Sequence, residues 1–306
     1  MSTIISAKGV SKWFGEVVAL NDLNVEIETG VTGLLGANGA GKSTFIKLAL
    51  GLYYPSRGSI SVFGKAPRND MSVLRRIGYC PELDTFYDNM TGYEYVYWLS
   101  RYWGMSAKNG RIAAEQACER VRMTDRMDDP IEEYSKGMRQ RIKIAQALST
   151  DPDLLFLDEP MAGLDPQGRE EMFSLIRELG DNGYSVLVSS HILYEVERVT
   201  DNVVLLFQGS LMAHGKVREI RGLIDSHPHT IHVDCSAPRA LAAYFVADTS
   251  VLHLDFEGDN RLVIRTKDPN ACYDQINAAA LQPQIDITRI HCADDSLQAV
   301  FDYLVK

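Results

Sequence analysis

The stretch Gly36-Ala37-Asn38-Gly39-Ala40-Gly41-Lys42-Ser43-Thr44 decides the fold. Its spacing, Gly-x-x-x-x-Gly-Lys-Ser, is that of a phosphate-binding loop. The glycines let backbone N–H groups wrap around phosphate oxygens, with the positive end of a helix behind them. Upstream, Val17 to Ile27 reads as loop and strand, Glu28-Thr29-Gly30 as a turn, and Val31 to Leu35 as a short apolar strand. Downstream, Phe45 to Leu50 is apolar with helical character. Strand, glycine-rich turn and helix form the context the motif requires. Lys42 places a compact positive charge near the outer phosphates, and the Ser43 hydroxyl is a candidate Mg²⁺ ligand. A chance glycine turn before a helix does not need this full spacing.

A second stretch supplies carboxylates. Leu154-Leu155-Phe156-Leu157-Asp158-Glu159 is an apolar strand that ends in two acids. Open α/β sheets bind ligands at the carboxyl ends of their strands. Asp158 is the candidate Mg²⁺ holder, directly or through water. Glu159 is the candidate general base that orients and polarises an attacking water. Alone, the pair also fits an ordinary polar strand end; beside the phosphate loop, the catalytic reading is the stronger.

Around these two anchors the chain divides. From Asp84 to Thr150 the pattern is mostly helical, and Phe86 to Trp103 holds eight of the 27 aromatic residues. Strand-like runs resume at Leu154–Leu157, Ser185–Ser189 and Asn202–Phe207, separated by helical stretches over Gly168–Leu179 and Tyr194–Val199. This alternation predicts a parallel sheet covered by helices. A boundary is expected near Arg221, beyond which 12 Asp/Glu face 7 Lys/Arg. There, strand-like runs (Thr230–Asp234, Val251–Phe256, Arg261–Thr266, Asp286–His291) alternate with helical ones (Pro238–Val246, Asn270–Leu281, Ser296–Leu304), as in a small α+β domain. The cluster from Ser226 to Cys235, with His227, His229 and His232, and the later His291-Cys292 suggest a metal site. Strand parity weakens that reading, because it sends His232 to the face opposite His229 and Cys235. A regulatory or dimer-stabilising role suits this domain better.

Composition sets outer limits. The 306 residues carry 31 Lys/Arg against 41 Asp/Glu, a net charge of -10, with 45% hydrophobic and 24% charged residues. That is globular composition with ample core. No apolar run approaches the ~20 residues of a membrane-spanning helix. Met1 to Ser6 lacks the charged and apolar halves of a signal peptide, so a cytoplasmic chain is expected. Five scattered cysteines without a C-x-x-C pair predict reduced thiols. The acidic balance argues against an electrostatic grip on nucleic acid, and none is expected as a partner.

Four further segments narrow the class. Tyr134-Ser135-Lys136-Gly137-Met138 stands before the acidic strand and resembles the Leu-Ser-Gly-Gly-Gln signature of ABC-type ATPases. Ser135, at a helix start, with the N–H groups that follow it, suits a γ-phosphate; without the family it is simply an N-cap. Phe14 resembles the aromatic that stacks on adenine, its plain alternative being a packed edge aromatic. Ala162-Gly163-Leu164-Asp165-Pro166 resembles the loop that crosses to a second subunit, and His191 resembles the switch histidine that contacts γ-phosphate. Over roughly residues 3–218 the chain therefore resembles the nucleotide-binding subunit of an ABC transporter. The variant signature and the appended domain look like the exporter branch that includes antibiotic-resistance ATPases.

The resemblance implies a P-loop NTPase (RecA-like) α/β core over residues 1–220 with a helical subdomain at about 85–153. A C-terminal α+β accessory domain follows over 221–306. It implies ATP and Mg²⁺ as ligands, with Gly36, Asn38, Gly39, Ala40, Gly41, Lys42, Ser43 and Thr44 around the phosphates. Two subunits would close head to tail, so that Ser135, Gly137 and Asp165 of one cover the ATP of the other. The partners implied are a second copy and a separate integral membrane permease, which would hold the subunit on the inner face of the cell membrane. The aromatic-rich helix, with Tyr95, Leu99 and Tyr102 at helical spacing, is either packed core or a groove for a short permease helix. Two departures stand out. Glu82 replaces the usual Gln after Ile77-Gly78-Tyr79-Cys80-Pro81; when ionised it accepts from water or binds Mg²⁺ but cannot donate. Lys136 replaces the first signature glycine. A soluble ATPase acting on ribosomes or DNA usually carries two cassettes or a basic insertion, and neither is present. A non-enzymatic regulator would lack Glu159 or His191.

Overall fold

The computed structural model describes residues 2–87, 89–222, 229–282 and 284–292; of Arg218, Arg221 and Gly222 it describes the backbone only. The chain falls into two compact units, Met1–Gly215 and Lys216–Lys306.

The first unit contains strands β1 (Thr3–Phe14), β2 (Val17–Glu28) and β3 (Val31–Leu35), helix α1 (Lys42–Ala49), β4 (Arg57–Val62), α2 (Met71–Leu74) and β5 (Ile77–Cys80). Then come α3 (Gly92–Tyr102), α4 (Ala107–Arg120), α5 (Lys136–Leu148), β6 (Leu154–Leu157), α6 (Pro166–Asp181), β7 (Ser185–Ser190), α7 (Leu193–Glu197), β8 (Asn202–Phe207) and β9 (Ser210–Lys216). A six-stranded sheet has the order β5-β6-β7-β3-β8-β9, and β5, β6, β7, β3 and β8 run parallel. Parallel strands are covered on both faces, which explains why β6 and β7 are buried at every residue. Leu155 and Leu157 pack into the cluster beneath the helices, while Leu154 and Phe156 pack into the opposite cluster, as the two-residue period requires. Because β3, β6 and β7 run parallel as neighbours, the segments that follow them, Gly36–Thr44, Asp158-Glu159 and His191, leave from one edge of the sheet.

A three-stranded antiparallel sheet, β2-β1-β4, was not legible in the sequence. Its β1–β2 pairing shifts register at four places, which breaks the alternation a reader looks for. Strand β2 also occupies the whole of Val17–Glu28, with no loop at its start. The helical stretch Asp84–Thr150 resolves into α3, α4 and α5. Thr91 opens α3 with a reciprocal capping box to Glu94, and Ser106 and Ser135 cap α4 and α5. The row Tyr95, Leu99, Tyr102 splits: Tyr95 is buried in the core, Leu99 packs at its rim, and Tyr102 is 87% exposed.

The second unit, taken by itself, contains α8 (Val217–Gly222), β10 (His229–Cys235), α9 (Pro238–Ala242), β11 (Val251–Glu257), β12 (Arg261–Thr266), α10 (Pro269–Ala280) and β13 (Ile287–Cys292). The sheet order β11-β12-β10-β13 with antiparallel pairing is the βαββαβ split arrangement. Helix α9 ends at Ala242, short of Val246, and a turn continues from it. Ile231, Val233 and Cys235 point into the core with Phe245, Cys272 and Ile276. The opposite face carries a cross-strand row of alternating charge, Arg289–Asp234–Arg261–Glu257. The Arg261 guanidinium, 2.6 Å from Asp234, holds that carboxyl below its usual range. His232 stands beside His291 on this face, away from buried Cys235. Among the described residues no group of three His, Cys, Asp or Glu is placed to hold a metal ion. His227 and the stretch Ser296–Leu304 lie outside the described residues.

Candidate active site

The loop between β3 and α1 is built around Gly41. Its φ of 102° is left-handed, and a Cβ there would stand 2.6 Å from the Ala19 carbonyl. Only glycine fits without strain. The chain then turns directly into α1, so that Gly41 is the N-cap, Phe45 N–H donates to Gly41 O, and Lys42 is the first helical residue. The Lys42 side chain is 6% exposed and folds back over the loop, donating to Gly36 O at 2.6 Å. Asn38 and Gly39 are exposed, Ala40 is buried, and Ser43 and Thr44 are half-buried at the helix start.

The tips of β6 and β7 meet this loop. Lys42 Nζ lies 3.1 Å from Glu159 Oε1, and Glu159 Oε2 lies 2.8 Å from His191 Nδ1. Glu159 is 8% exposed and has φ +49°, a left-handed conformation for a non-glycine residue. Such a conformation costs about 1–3 kcal/mol and persists only where surroundings over-determine it. Here Glu159 N–H donates to Ser189 Oγ at 2.8 Å, and the Ser189 hydroxyl donates to Asp158 Oδ1 at 2.6 Å. Ser43 Oγ reaches the same Asp158 oxygen at 3.4 Å. Asp158 N–H donates to Cys80 O, which ties β6 to the end of β5. One carboxylate flanked by hydroxyl oxygens suits Mg²⁺, a hard cation that keeps few protein ligands and completes its shell with phosphate and water.

Two residues absent from the sequence reading shape the His191 loop. Ser190 Oγ donates to Glu195 Oε2 at 2.6 Å and accepts from Ile192 N–H at 3.0 Å. The Ser190 hydroxyl, held by buried Glu195, therefore bridges the chain on both sides of His191. No motif marks Glu195, since an acid in a helix ordinarily reads as solvent-facing. Phe14 is 43% exposed, as an aromatic must be to receive a ring. It stands edge-on to Tyr53 with centroids 5.3 Å apart, and Lys12 Nζ lies 5.0 Å from its ring centre.

Ser135, Gly137 and Asp165 form a second group. Ser135 caps α5 by accepting from Met138 N–H, and Asp165 caps α6 by accepting from Gly168 N–H at 2.8 Å. All three line one cavity of about 580 Å³, together with Lys136, Met138 and Gly163. None of Gly36–Thr44, Asp158, Glu159 or His191 lines it. Glu82 follows β5 with its side chain exposed, and it does not line the cavity.

The geometry has relatives. The ABC transporter family model matches residues 20–162. The bacitracin transport ATP-binding protein BcrA of Enterococcus faecalis is 32% identical over 308 residues, spanning 100% of this chain and 97% of that protein. The Nod factor export ATP-binding protein I of Burkholderia orbicola is 37% identical over 213 residues, 69% of this chain and 70% of that one. Among solved structures, an ATP-binding subunit of an ABC transporter has a TM-score of 0.64 at 30% identity, covering 72% of this chain and 93% of its own. The cbiO1 protein of Clostridium perfringens, part of the cbiONQ transporter complex, has a TM-score of 0.65 at 27% identity, covering 72% and 92%. On these identities and this coverage the chain belongs to the ABC transporter family, as an ATP-binding and ATP-hydrolysing subunit in the branch that holds these antibiotic-transport and export ATPases.

Proposed function

We propose that two copies of this chain close head to tail around two ATP molecules and drive a separate membrane permease, in the direction of export. The observation that carries the reading is the split between the two groups of functional residues. Lys42, Ser43, Asp158, Glu159 and His191 gather at the strand tips, while Ser135, Gly137 and Asp165 line a cavity that contains none of them. A second copy brings one group to the other.

In this reading Phe14 receives adenine, and the loop from Gly36 to Thr44 wraps the phosphates. Ser43 and Asp158 hold Mg²⁺, which when bound neutralises charge between the outer phosphates. Glu159 accepts the proton of the attacking water, and His191 fixes the Glu159 carboxylate through Oε2. Glu82 senses the water or ion from the end of β5. Ser135 and the N–H groups after it close on the partner's γ-phosphate. The permease contact lies over the exposed aromatic surface with Tyr87, Trp98 and Tyr102, which are 70%, 48% and 87% exposed. That contact would hold the subunit at the membrane's inner face; no helix among the described residues is long and apolar enough to cross a membrane.

Affinity purification from detergent-solubilised membranes of the native organism tests this. The expected result is an integral membrane protein recovered in stoichiometric amount. Recovery of ribosomes or DNA in its place would sink the transport reading.

A further inference from the structure

Lys143 sits in the middle of α5, and its side chain is only 1% exposed. An ammonium has three protons to donate. Here all three have acceptors in one short segment: Pro81 O at 3.0 Å, Glu82 O at 3.0 Å and Asp84 Oδ1 at 2.9 Å. Burying a charge is costly unless it is paired and hydrogen-bonded. An aliphatic residue would fill the same helix face without that cost, so packing alone does not call for a cation. What the cation adds is a fixed distance between α5 and the backbone on both sides of Glu82.

The rest of α5 makes this distance consequential. One turn before Lys143, Gln140 Nε2 reaches Cys80 Sγ at 3.6 Å. One turn after it, a Cβ on Gly78 would lie 2.2 Å from Ala147 O, so β5 and α5 touch backbone to backbone. At the other end, Ser135 is the N-cap of the same unbroken helix, about 12 Å from Lys143 along the axis. A helix of this kind moves as a rigid body.

We propose that Lys143 is a positioning residue that locks the Glu82 segment, which serves the chain's own ATP, to the helix that presents Ser135 to the partner's ATP. A shift of Glu82 on nucleotide binding is then transmitted through Lys143 to the signature end of α5, linking the two ATP sites of the dimer. This rests on the reading of Glu82 given above.

The test is a double-mutant cycle in ATP hydrolysis by the full-length subunit with its permease, using Lys143→Met, Glu82→Ala and the pair. Lys143→Met is expected to lower kcat about tenfold with the KM for ATP within twofold, and the pair is expected to be no slower than the slower single variant. A merely structural lysine would give losses that multiply, and that result, or a Lys143→Met protein with unchanged kcat, overturns the proposal. Glu82→Ala at full rate would instead sink the reading of Glu82; a Lys143→Met loss beside it would overturn the link as stated. Should Lys143→Met not fold, Asp84→Asn on the exposed side of the clamp is expected to lower kcat two- to threefold, with no further loss in the Glu82→Ala background. Multiplying losses there overturn the proposal equally.

Discussion

Lys42, the first residue of α1, and Glu159, at the tip of β6, are a buried ion pair at 3.1 Å. In the proposed cycle ATP competes with Glu159 for Lys42, so that phosphate binding and release of the base would be one exchange. The two partners should therefore respond oppositely to removal. Glu159→Gln keeps the shape, takes away the base and frees Lys42. It should slow hydrolysis by at least about 100-fold while ATP binding is kept or tightened. Size-exclusion chromatography should show an ATP-held dimer. Undiminished turnover would remove Glu159 from the role of base.

Lys42→Ala should act in the other direction. It deletes the charge at the outer phosphates and leaves Glu159 facing them unneutralised. ATP affinity should fall by about 100-fold or more, since a buried charged contact is worth about 3–5 kcal/mol when one partner is lost. Equilibrium binding of a fluorescent ATP analogue measures this, and normal affinity would refute the assignment of the loop.

His191 touches Glu159 at 2.8 Å, and Glu195 holds the turn that carries it through Ser190. His191→Ala should lower kcat by about 10²- to 10³-fold with little change in KM, because an orienting contact is lost while the phosphate loop is intact. Glu195→Gln should lower kcat more mildly, by a few-fold, as the amide oxygen still accepts from Ser190. Steady-state kinetics separates the two, and a larger loss from Glu195→Gln than from His191→Ala would contradict this order.

How far the sequence disclosed this arrangement follows from which interactions are local. Gly36 to Thr44 and Leu154 to Glu159 are readable because each needs a fixed spacing of residue types within one turn or one strand. The parallel sheet is readable because strands covered on both faces are apolar throughout. The β1–β2–β4 sheet is not, since its register shifts erase the two-residue period. Glu195, Ser189 and Lys143 escaped because their partners are 5 to 62 residues away and their importance lies in burial, which no local pattern reveals. Lys136 is legible as a departure from the signature, and its place in the cavity beside Gly163 emerges only once the chain is folded.

Gly78 illustrates a stability effect of the same hidden kind. It lies in β5 with ordinary backbone angles, so nothing local demands glycine. Yet a Cβ would stand 2.2 Å from Ala147 O and 2.7 Å from Leu155 Cδ2. Gly78→Ala should force β5 and α5 apart and cost about 1–3 kcal/mol, as overpacking does. Differential scanning calorimetry should show a lowered Tm for the cassette. A Tm equal to that of the parent would mean the helix yields without strain.

The cysteines offer a prediction with a defined sign in pH. All five are buried free thiols. Burial pushes the thiols of Cys80, Cys118 and Cys272 up to about 12 from a usual 9.0. Alkylation proceeds through the thiolate, so these three should resist iodoacetamide at pH 8 in the folded protein and react fully in guanidinium. Mass spectrometry of the labelled peptides decides it; rapid native labelling at Cys80 would contradict its burial beneath α5. The same shift links to stability. The folded state holds each thiol proton more tightly than the unfolded state. The contribution is therefore complete below the unfolded value near 9 and is lost as pH rises from 9 towards 12. In that window each thiol should subtract up to about 1.4 kcal/mol per pH unit from unfolding free energy. Replacing Cys118 with Ala should flatten the alkaline limb by one such increment, whatever it costs in packing at neutral pH.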